Sequence, residues 1–271
     1  MSADIALFIV WLAAAGLFAG FVGGLFGVGG GVVIVPALYF VLSILEVDES
    51  VRMHVAVGTS LSTIIATSWR SLATHAKAGA VDLEILKTWT PYIALGAVLG
   101  GALAGFADNQ TLLVVFGAGL LLVALQLGLG NPSWRLASDM PRGAARAALG
   151  GGIGLLSAMM GIGGGAFGAT LMSLCGRPIH QAVATASGFG AAIAIPGALL
   201  YAATGWGREG LPPLSLGFVN APGFLLLAAL TAITAPIGAR LAHRLPQATL
   251  KRAFAIFLAL VALNMLREAF S

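Results

Sequence analysis

The apolar positions of this chain gather in ten runs, at about 5–26, 32–45, 54–74, 89–107, 111–129, 147–160, 166–175, 180–204, 218–243 and 248–270, with polar residues between them. A full bilayer crossing takes roughly 20 apolar residues. The runs 32–45, 147–160 and 166–175 fall short of that, and each abuts a glycine cluster, so they read as half-helices or re-entrant pieces. The polar stretch 130–146, with Pro132, Arg135, Asp139, Pro141, Arg142 and Arg146, is the boundary between two halves.

The halves repeat. Gly27-Val28-Gly29-Gly30-Gly31 matches Gly161-Ile162-Gly163-Gly164-Gly165, and His54-Val55-Ala56-Val57-Gly58-Thr59 matches His180-Gln181-Ala182-Val183-Ala184-Thr185. Thr111–Leu125 matches Thr249–Leu263 at eight of fifteen positions. The matches keep their order, which is the signature of an internal duplication. Each half holds either five crossings or three crossings plus a re-entrant hairpin. Both counts are odd, so the second half is expected upside down relative to the first, as in the inverted repeats of secondary transporters. The expected architecture is an all-α polytopic membrane protein. It has two inverted-topology repeats, 1–130 and 147–271, each a glycine-broken hairpin plus three transmembrane helices, joined by a cytoplasmic linker, 131–146.

Composition agrees with that pattern. Of the 271 residues 59% are hydrophobic and only 9% charged, and the mean hydropathy is +0.98. A soluble domain carries about 25% charged residues, so this chain cannot coat a water-exposed surface, and the same arithmetic excludes disorder. The single cysteine, Cys175, excludes an intrachain disulfide and any multi-cysteine metal site. The first apolar run lacks the basic n-region of a signal peptide, and it is expected to be retained. The 38 glycines speak for closely packed and broken helices.

The net charge of +4 bears on orientation rather than on nucleic acid. With both termini on one side, that side receives Arg52, Arg208 and Arg267, and the other receives the remaining eleven basic residues. The positive-inside bias makes the second side cytoplasmic and both termini periplasmic in a bacterial inner membrane. Trp69, Trp89 and Trp134 then fall near the inner interface and Trp11 and Trp206 near the outer one, as aromatic belts.

Bare backbone is tolerated inside a bilayer only where protein or a wet cavity satisfies it. Helices starting near Val32 and Ala166 would aim their positive N-terminal ends at the glycine breaks, which suits an anion. The recurring clusters, Gly27, Gly29, Gly30 and Gly31 with Gly161, Gly163, Gly164 and Gly165, are therefore the candidate substrate site. The spaced pairs Gly20/Gly24, Gly23/Gly27, Gly96/Gly100 and Gly150/Gly154 read as helix packing. Gly161–Ala166 also fits the dinucleotide pattern, but outside a strand–turn–helix unit with an acidic residue downstream that means little.

Thr59, Ser60 and Thr185 are candidate site hydroxyls, and Ser187 is a weaker one. Thr59, Thr63 and Thr67 share a face with Ser62 and Arg70, where hydroxyls either line a path or bond back to their own helix. His54 and His180 repeat at segment starts, which suits interfacial hydrogen bonding. His75 and Lys77 at the inner mouth could collect an anion or titrate, and Arg70 snorkels to the inner surface. His75, Arg70, Lys77 and His54 are the coupling or gathering candidates. Cys175 is expected to pack. Every carboxylate lies in a loop or at a segment end, which disfavours a cation pump. Scattered histidines give no metal hydrolase, and Thr185-Ala186-Ser187-Gly188 lacks the first glycine of an intramembrane serine protease. No cofactor is expected.

Gly23-Gly24-Leu25-Phe26-Gly27-Val28-Gly29-Gly30-Gly31 followed by Pro36, with its second copy Gly154–Gly165, resembles the doubled motif of the TauE/SafE sulfite exporter family, also called the toluene sulfonate uptake permeases. The resemblance spans nearly the whole chain, and His54–Thr59 and His180–Thr185 sit where that family's following helices begin. It implies movement of sulfur-containing anions such as sulfite, sulfonates and sulfoacetate across bacterial inner membranes, often outward, with Gly27–Gly31 and Gly161–Gly165 as the positions that carry over. The expectation is a secondary carrier of a small sulfur oxyanion or organosulfonate, with proton or sodium coupling open. The alternatives are a passive anion channel and a non-transporting membrane scaffold.

Overall fold

A computed structural model describes residues 2–26, 30–129, 135–242 and 247–271. Among the described residues there are ten helices: α1 (Ser2–Phe26), α2 (Gly31–Ile44), α3 (Glu49–Lys77), α4 (Leu83–Phe106), α5 (Asn109–Leu129), α6 (Gly143–Met160), α7 (Gly165–Leu174), α8 (Ile179–Thr204), α9 (Ala221–Ala242) and α10 (Gln247–Ala269). A two-stranded antiparallel hairpin, β1 (Ser215–Leu216) and β2 (Val219–Asn220), separates α8 from α9. The described residues are all-α apart from this hairpin. Four spans, Leu83–Phe106, Asn109–Leu129, Ile179–Thr204 and Ala221–Gly238, are long and apolar enough to cross a membrane.

Local chemistry sets the helix ends. Asp48, Asp82 and Asp108 each stand before a helix and accept from a backbone N–H one to three residues inside it: Ser50 at 2.9 Å, Ile85 at 3.0 Å and Thr111 at 2.7 Å. Such caps satisfy donors that no helical carbonyl can reach. The Ser50 side chain and amide hold the Asp48 carboxyl below its ordinary value, and Thr111 does the same for Asp108. These three aspartates are helix caps, which is why they fall at segment ends.

The apolar runs underestimate several helices. The run 54–74 becomes α3, starting at Glu49, because polar and charged residues of its first and last turns are still helical. The run 147–160 becomes the 18-residue α6, since Gly143–Arg146 already belong to it. The run 218–243 loses its first residues to the hairpin. The short pieces α2 and α7 have 14 and 10 residues and follow the glycine clusters.

The packing has a regular plan. Helix α1 lies against α9, α4 against α6, α5 against α10, and α3 against α8. Exchanging the halves (α1 for α6, α4 for α9, and so on) returns the same set of pairs. Individual contacts follow suit. A Cβ added at Gly16 would meet Leu227 and Leu230, and one added at Gly150 would meet Trp89 and Tyr92. At Gly20 it would strike the backbone of Thr231, and at Gly154 that of Ile93. Helices α3 and α8 run antiparallel: Gly58 approaches Tyr201, Gly197 approaches Leu61, Gly190 approaches Ser68, and Gly188 approaches Leu72. This pair forms the middle of the molecule, and Val55–Leu61 are all buried.

Many large apolar side chains face outward, among them Leu95, Leu99, Leu103, Leu199, Leu225, Leu260 and Leu263. Apolar surface on this scale belongs against lipid, and the chain is a multi-pass membrane protein. Trp11, Trp69 and Trp206 are exposed, but Trp89 is only 2% exposed. It fills the space beside Gly150 instead of joining an aromatic belt, because that glycine leaves a ring-sized gap in the α4–α6 seam. Trp134 lies outside the described residues. The second part of the 131–146 stretch is anchored: the Leu136 N–H donates to the Leu174 carbonyl at 2.9 Å, and Asp139 pairs with Arg177 at 2.7 Å and with Arg142 at 3.4 Å.

Candidate functional site

The glycine breaks are built by backbone conformations that open and close helices. Gly30, buried, has φ +78 and precedes α2; the Val33 and Ile34 N–H groups both donate to its carbonyl at 2.9 Å. Gly161 has φ +66 and ends α6 in a Schellman turn, with the Ile162 N–H donating to Ser157 at 3.0 Å and the Gly161 N–H donating to Ala158 at 3.4 Å. Residues Gly163 and Gly164 follow, buried, and Gly165 starts α7. The glycines Gly27 and Gly29, which belong to the same candidate site, lie outside the described residues.

The two breaks touch. A Cβ on Gly31 would lie 2.6 Å from the Gly161 carbonyl oxygen and 3.2 Å from Ile162 Cα. The Ser60 hydroxyl, from the middle of α3, donates to that same carbonyl at 2.8 Å. Ile64, one turn further along α3, reaches both breaks, since added Cβ atoms on Gly31 and Gly163 would lie 2.9 and 3.2 Å from its side chain. Gly164 packs on Phe189 and Ile193 of α8. Thus Ser60, Gly30, Gly31, Gly161, Gly163 and Gly164 come together between α3 and α8.

The two repeated threonines do something else. Thr59 Oγ1 accepts from the Asn220 N–H at 2.9 Å, and Thr185 Oγ1 accepts from the Asp82 N–H at 2.8 Å. Asn220 and Asp82 stand before α9 and α4, and each side chain accepts from the N–H three residues on, Gly223 at 2.9 Å and Ile85 at 3.0 Å. Each threonine therefore pins the start of a helix from the other half. Because α3 and α8 are antiparallel, the pins sit toward opposite ends of that pair, with the glycine breaks between them.

Thr59, Ser60 and Thr185 are fully buried. The remaining hydroxyls bond back to their own helices: Ser62 to Gly58, Thr63 to Thr59, Thr67 to Thr63 and Ile64, and Ser187 to Ala184. Ser187 and Thr67 are thus engaged within a helix turn, the ordinary use of such hydroxyls in apolar surroundings.

The repeated histidines have parted. His180 is exposed at the start of α8, whereas His54 is 3% exposed and lies tilted against Phe218, ring centroids 4.6 Å apart. His54 Nε2 donates to the Ala104 carbonyl at 3.0 Å, and its Nδ1 has no partner. A carbonyl can only accept, so the ring carries its proton on Nε2. Arg70 and Lys77 are exposed and His75 is half-buried at the far end of α3, away from the breaks. Cys175 is 1% exposed and packs in the core.

Sequence reasoning missed Asn220, Asp82, Phe218 and Ser157 as parts of this region. The first two are residue types that mark helix starts, but Asp82 stands seven residues ahead of the run 89–107 and Asn220 lies inside the run 218–243, so neither stood out. Phe218 looked like one more apolar residue. Ser157, one turn before Gly161, is fully buried with its hydroxyl unpartnered.

A first prediction concerns the pins. Thr59→Val leaves the buried Asn220 N–H without an acceptor, which costs about 1–3 kcal/mol. The melting temperature in detergent should fall, and Thr59→Ser should restore it. Thr185→Val should lower it less, because the Asp82 N–H is only part-buried.

Comparison with known proteins follows the same lines. Residues 12–265 match the family described as Sulfite exporter TauE/SafE. A protein of Haemophilus influenzae named "Probable membrane transporter protein" is 34% identical over 258 residues, covering 95% of this chain and 98% of the relative. One of Methanocaldococcus jannaschii, "Probable membrane transporter protein MJ0441", is 25% identical over 258 residues, 93% of this chain and 92% of the relative. A Bacillus subtilis protein, "Probable membrane transporter protein YunE", is 35% identical over 120 residues, 44% of each chain. No solved structure matches.

Proposed function

Since the chain belongs to the sulfite exporter TauE/SafE family and is a membrane transporter, we propose that it is a secondary carrier of small sulfur-containing anions, sulfite or organosulfonates, working as an exporter in the bacterial inner membrane. The observation that carries this reading is the contact between the two glycine breaks, Gly31 against the Gly161 carbonyl. Two chain interruptions meeting in the interior of an apolar protein leave backbone polar groups that need a partner. Their N–H groups, at the positive ends of α2 and α7, favour a negative solute.

In this reading the anion lies between Gly27–Gly31 and Gly161–Gly165. Ser60 is held toward Gly161, and Ser157 offers an unused hydroxyl. Thr59 and Thr185, toward opposite ends of the α3–α8 pair, accept from backbone, so each still has its O–H to donate along the path on either side of the breaks. Arg70, His75 and Lys77, at one end of α3, gather the anion by raising its local concentration. The antiparallel course of α3 and α8 supports insertion of the halves, 1–130 and 147–271, in opposite senses, with the linker 131–146 cytoplasmic and both termini periplasmic. The site is exposed alternately to the two sides; because α1–α9, α4–α6, α5–α10 and α3–α8 each join one half to the other, the moving parts are such interlocked helix pairs and not the two halves of the sequence. Proton coupling through His54 is disfavoured, because a second proton would create an imidazolium that is only 3% exposed. Sodium, or a proton on His75, is left as the coupling ion.

A thermal-shift screen against sulfite, sulfate, thiosulfate, taurine and sulfoacetate tests the substrate class. A ligand at a hundred times its Kd stabilises by about 2.7 kcal/mol, which raises the melting temperature by several degrees. The expected result is such a rise with at least one sulfur anion, followed in proteoliposomes by trans-stimulation of its uptake, which a channel does not give. No shift and no flux with any of the five overturns the proposal.

A further inference from the structure

The two ends of the α3–α8 pair are closed differently. Toward the Thr185 end, the α3–α4 connection is short, and a Cβ on its Gly79 would meet nothing within 4 Å. Toward the Thr59 end sits the β1–β2 hairpin, whose tip turns inward. Phe218 is 2% exposed although its neighbours Leu214 and Leu216 are 78% and 55% exposed. Its ring lies tilted against His54, centroids 4.6 Å apart, and stands 6.4 Å from the Tyr201 ring, roughly edge-on. Its N–H donates to the Tyr201 carbonyl at 3.1 Å, and its carbonyl oxygen would be 2.5 Å from a Cβ on Gly58. One aromatic side chain thus spans from α3 to α8 at the level of Gly58 and Tyr201.

The hairpin is held by close backbone packing on α8, where a Cβ on Gly217 would overlap the Ala202 carbonyl and one on Gly205 the Phe218 N–H, and by a small set of hydrogen bonds. Asn220 holds it, with its N–H on Thr59, its Nδ2 on the Pro213 carbonyl and Ser215 Oγ at 3.1 Å each, and its Oδ1 capping Gly223. Its approach from α8, Trp206–Gly210, is exposed. The bond to Thr59 is one residue from Ser60, which holds the Gly161 carbonyl. Hairpin and glycine breaks are therefore joined through adjacent residues of α3. A displacement of α3 on anion binding acts on both.

We propose that the hairpin 211–220 is the gate at the Thr59 end of the path, with Phe218 as its plug and the Asn220–Thr59 bond as its latch. This rests on the transporter reading above for the path that it closes. An aromatic plug seated between two helices keeps a narrow passage dry and so blocks ions without filling it completely. Lifting the hairpin breaks the Thr59 and Tyr201 hydrogen bonds and the His54 contact together, so the gate has two well-separated positions instead of a continuum.

The test uses the full-length protein in liposomes loaded with chloride, whose leak does not depend on knowing the substrate. Phe218→Ala, checked for folding by size exclusion, should raise the leak roughly tenfold or more above wild type, as expected when a hydrophobic constriction is removed. A folded Phe218→Ala protein as tight as wild type overturns the gate. As a second readout, Phe218→Cys in a Cys175→Ala background is treated with a membrane-impermeant thiol reagent. Reaction over minutes to hours marks opening of the hairpin, and no reaction over that time overturns it. Wild-type protein that moves no sulfur anion defeats the transporter reading instead, and the chloride leak still decides whether Phe218 plugs a path.

Discussion

Gly31→Ala is expected to bring transport down to the background of protein-free vesicles while the protein still folds. The added methyl group would lie 2.6 Å from the Gly161 carbonyl oxygen and 2.9 Å from Ile64 Cδ1, whereas carbon and oxygen normally approach to about 3.3 Å. The oxygen cannot swing aside freely, since Ser60 holds it at 2.8 Å. The breaks must therefore separate by about half an ångström or more, which disturbs the arrangement of backbone groups proposed above to hold the anion. Over-packing of this kind costs about 1–3 kcal/mol, a fraction of the usual 5–15 kcal/mol of folding stability, so binding is lost before the fold is. Gly151→Ala and Gly152→Ala are the controls, because nothing lies within 4 Å of either position. They should transport as wild type, with a gain of up to about 1 kcal/mol from better helix propensity. Flux and ligand-induced thermal shift measure all three, and a fully active Gly31→Ala protein would reduce the glycine contact to packing.

Much of the architecture was open to reading because it rests on signals that local sequence carries. Apolar runs marked the helices; of the three runs too short to cross, two marked α2 and α7, and the third, 147–160, extended into the 18-residue α6. The doubled glycine and His-x-Ala-Val-x-Thr strings announced a repeat, and the observed packing partners exchange accordingly. Boundaries were harder, since charged first turns such as Glu49–Arg52 are helical without being apolar. The site was half legible. Glycine clusters show where a chain breaks but not what the break meets, and the approach of Gly31 to Gly161 joins residues 130 positions apart. Thr59 and Thr185 were recognised as equivalent, but their partners Asn220 and Asp82 come from other segments of the chain. The second strand of the hairpin was hidden at the start of the apolar run 218–243, because Phe218 and Val219 have the composition of a membrane helix. Trp89 misled for a similar reason: an interfacial position in sequence does not say whether a glycine opposite makes room for the ring.

The largest effect of all is expected from Gly154→Val and its counterpart Gly20→Val, neither of which should yield folded protein. These glycines lie in α6 and α1, at the crossings with α4 and α9. A Cβ at Gly154 would overlap the Ile93 carbonyl and sit 2.8 Å from the Ala97 N–H nitrogen. At Gly20 it would be 2.5 Å from Thr231 Cα and 2.9 Å from the Thr231 carbonyl oxygen. In both cases the obstacle is helix backbone, which cannot rotate away as a side chain can. Relief requires the two helices to part along their length. In the α4–α6 seam that also undoes the contacts of Gly96 with Gly151 and of Gly100 with Leu155. Helices in lipid gain little from the hydrophobic effect and associate through such close van der Waals packing, so nothing compensates for the separation. The penalty then exceeds the about 1–3 kcal/mol of ordinary over-packing and approaches the whole stability of the protein. Size-exclusion profiles of freshly extracted protein measure this, and aggregated or absent material is the expected outcome for both variants. A monodisperse Gly154→Val protein with unchanged melting temperature would mean that the α4–α6 seam can open without loss. If Gly20→Val alone were tolerated, the two crossings would not be equivalent, and a matched motion of the α1–α9 and α4–α6 pairs would lose its structural basis.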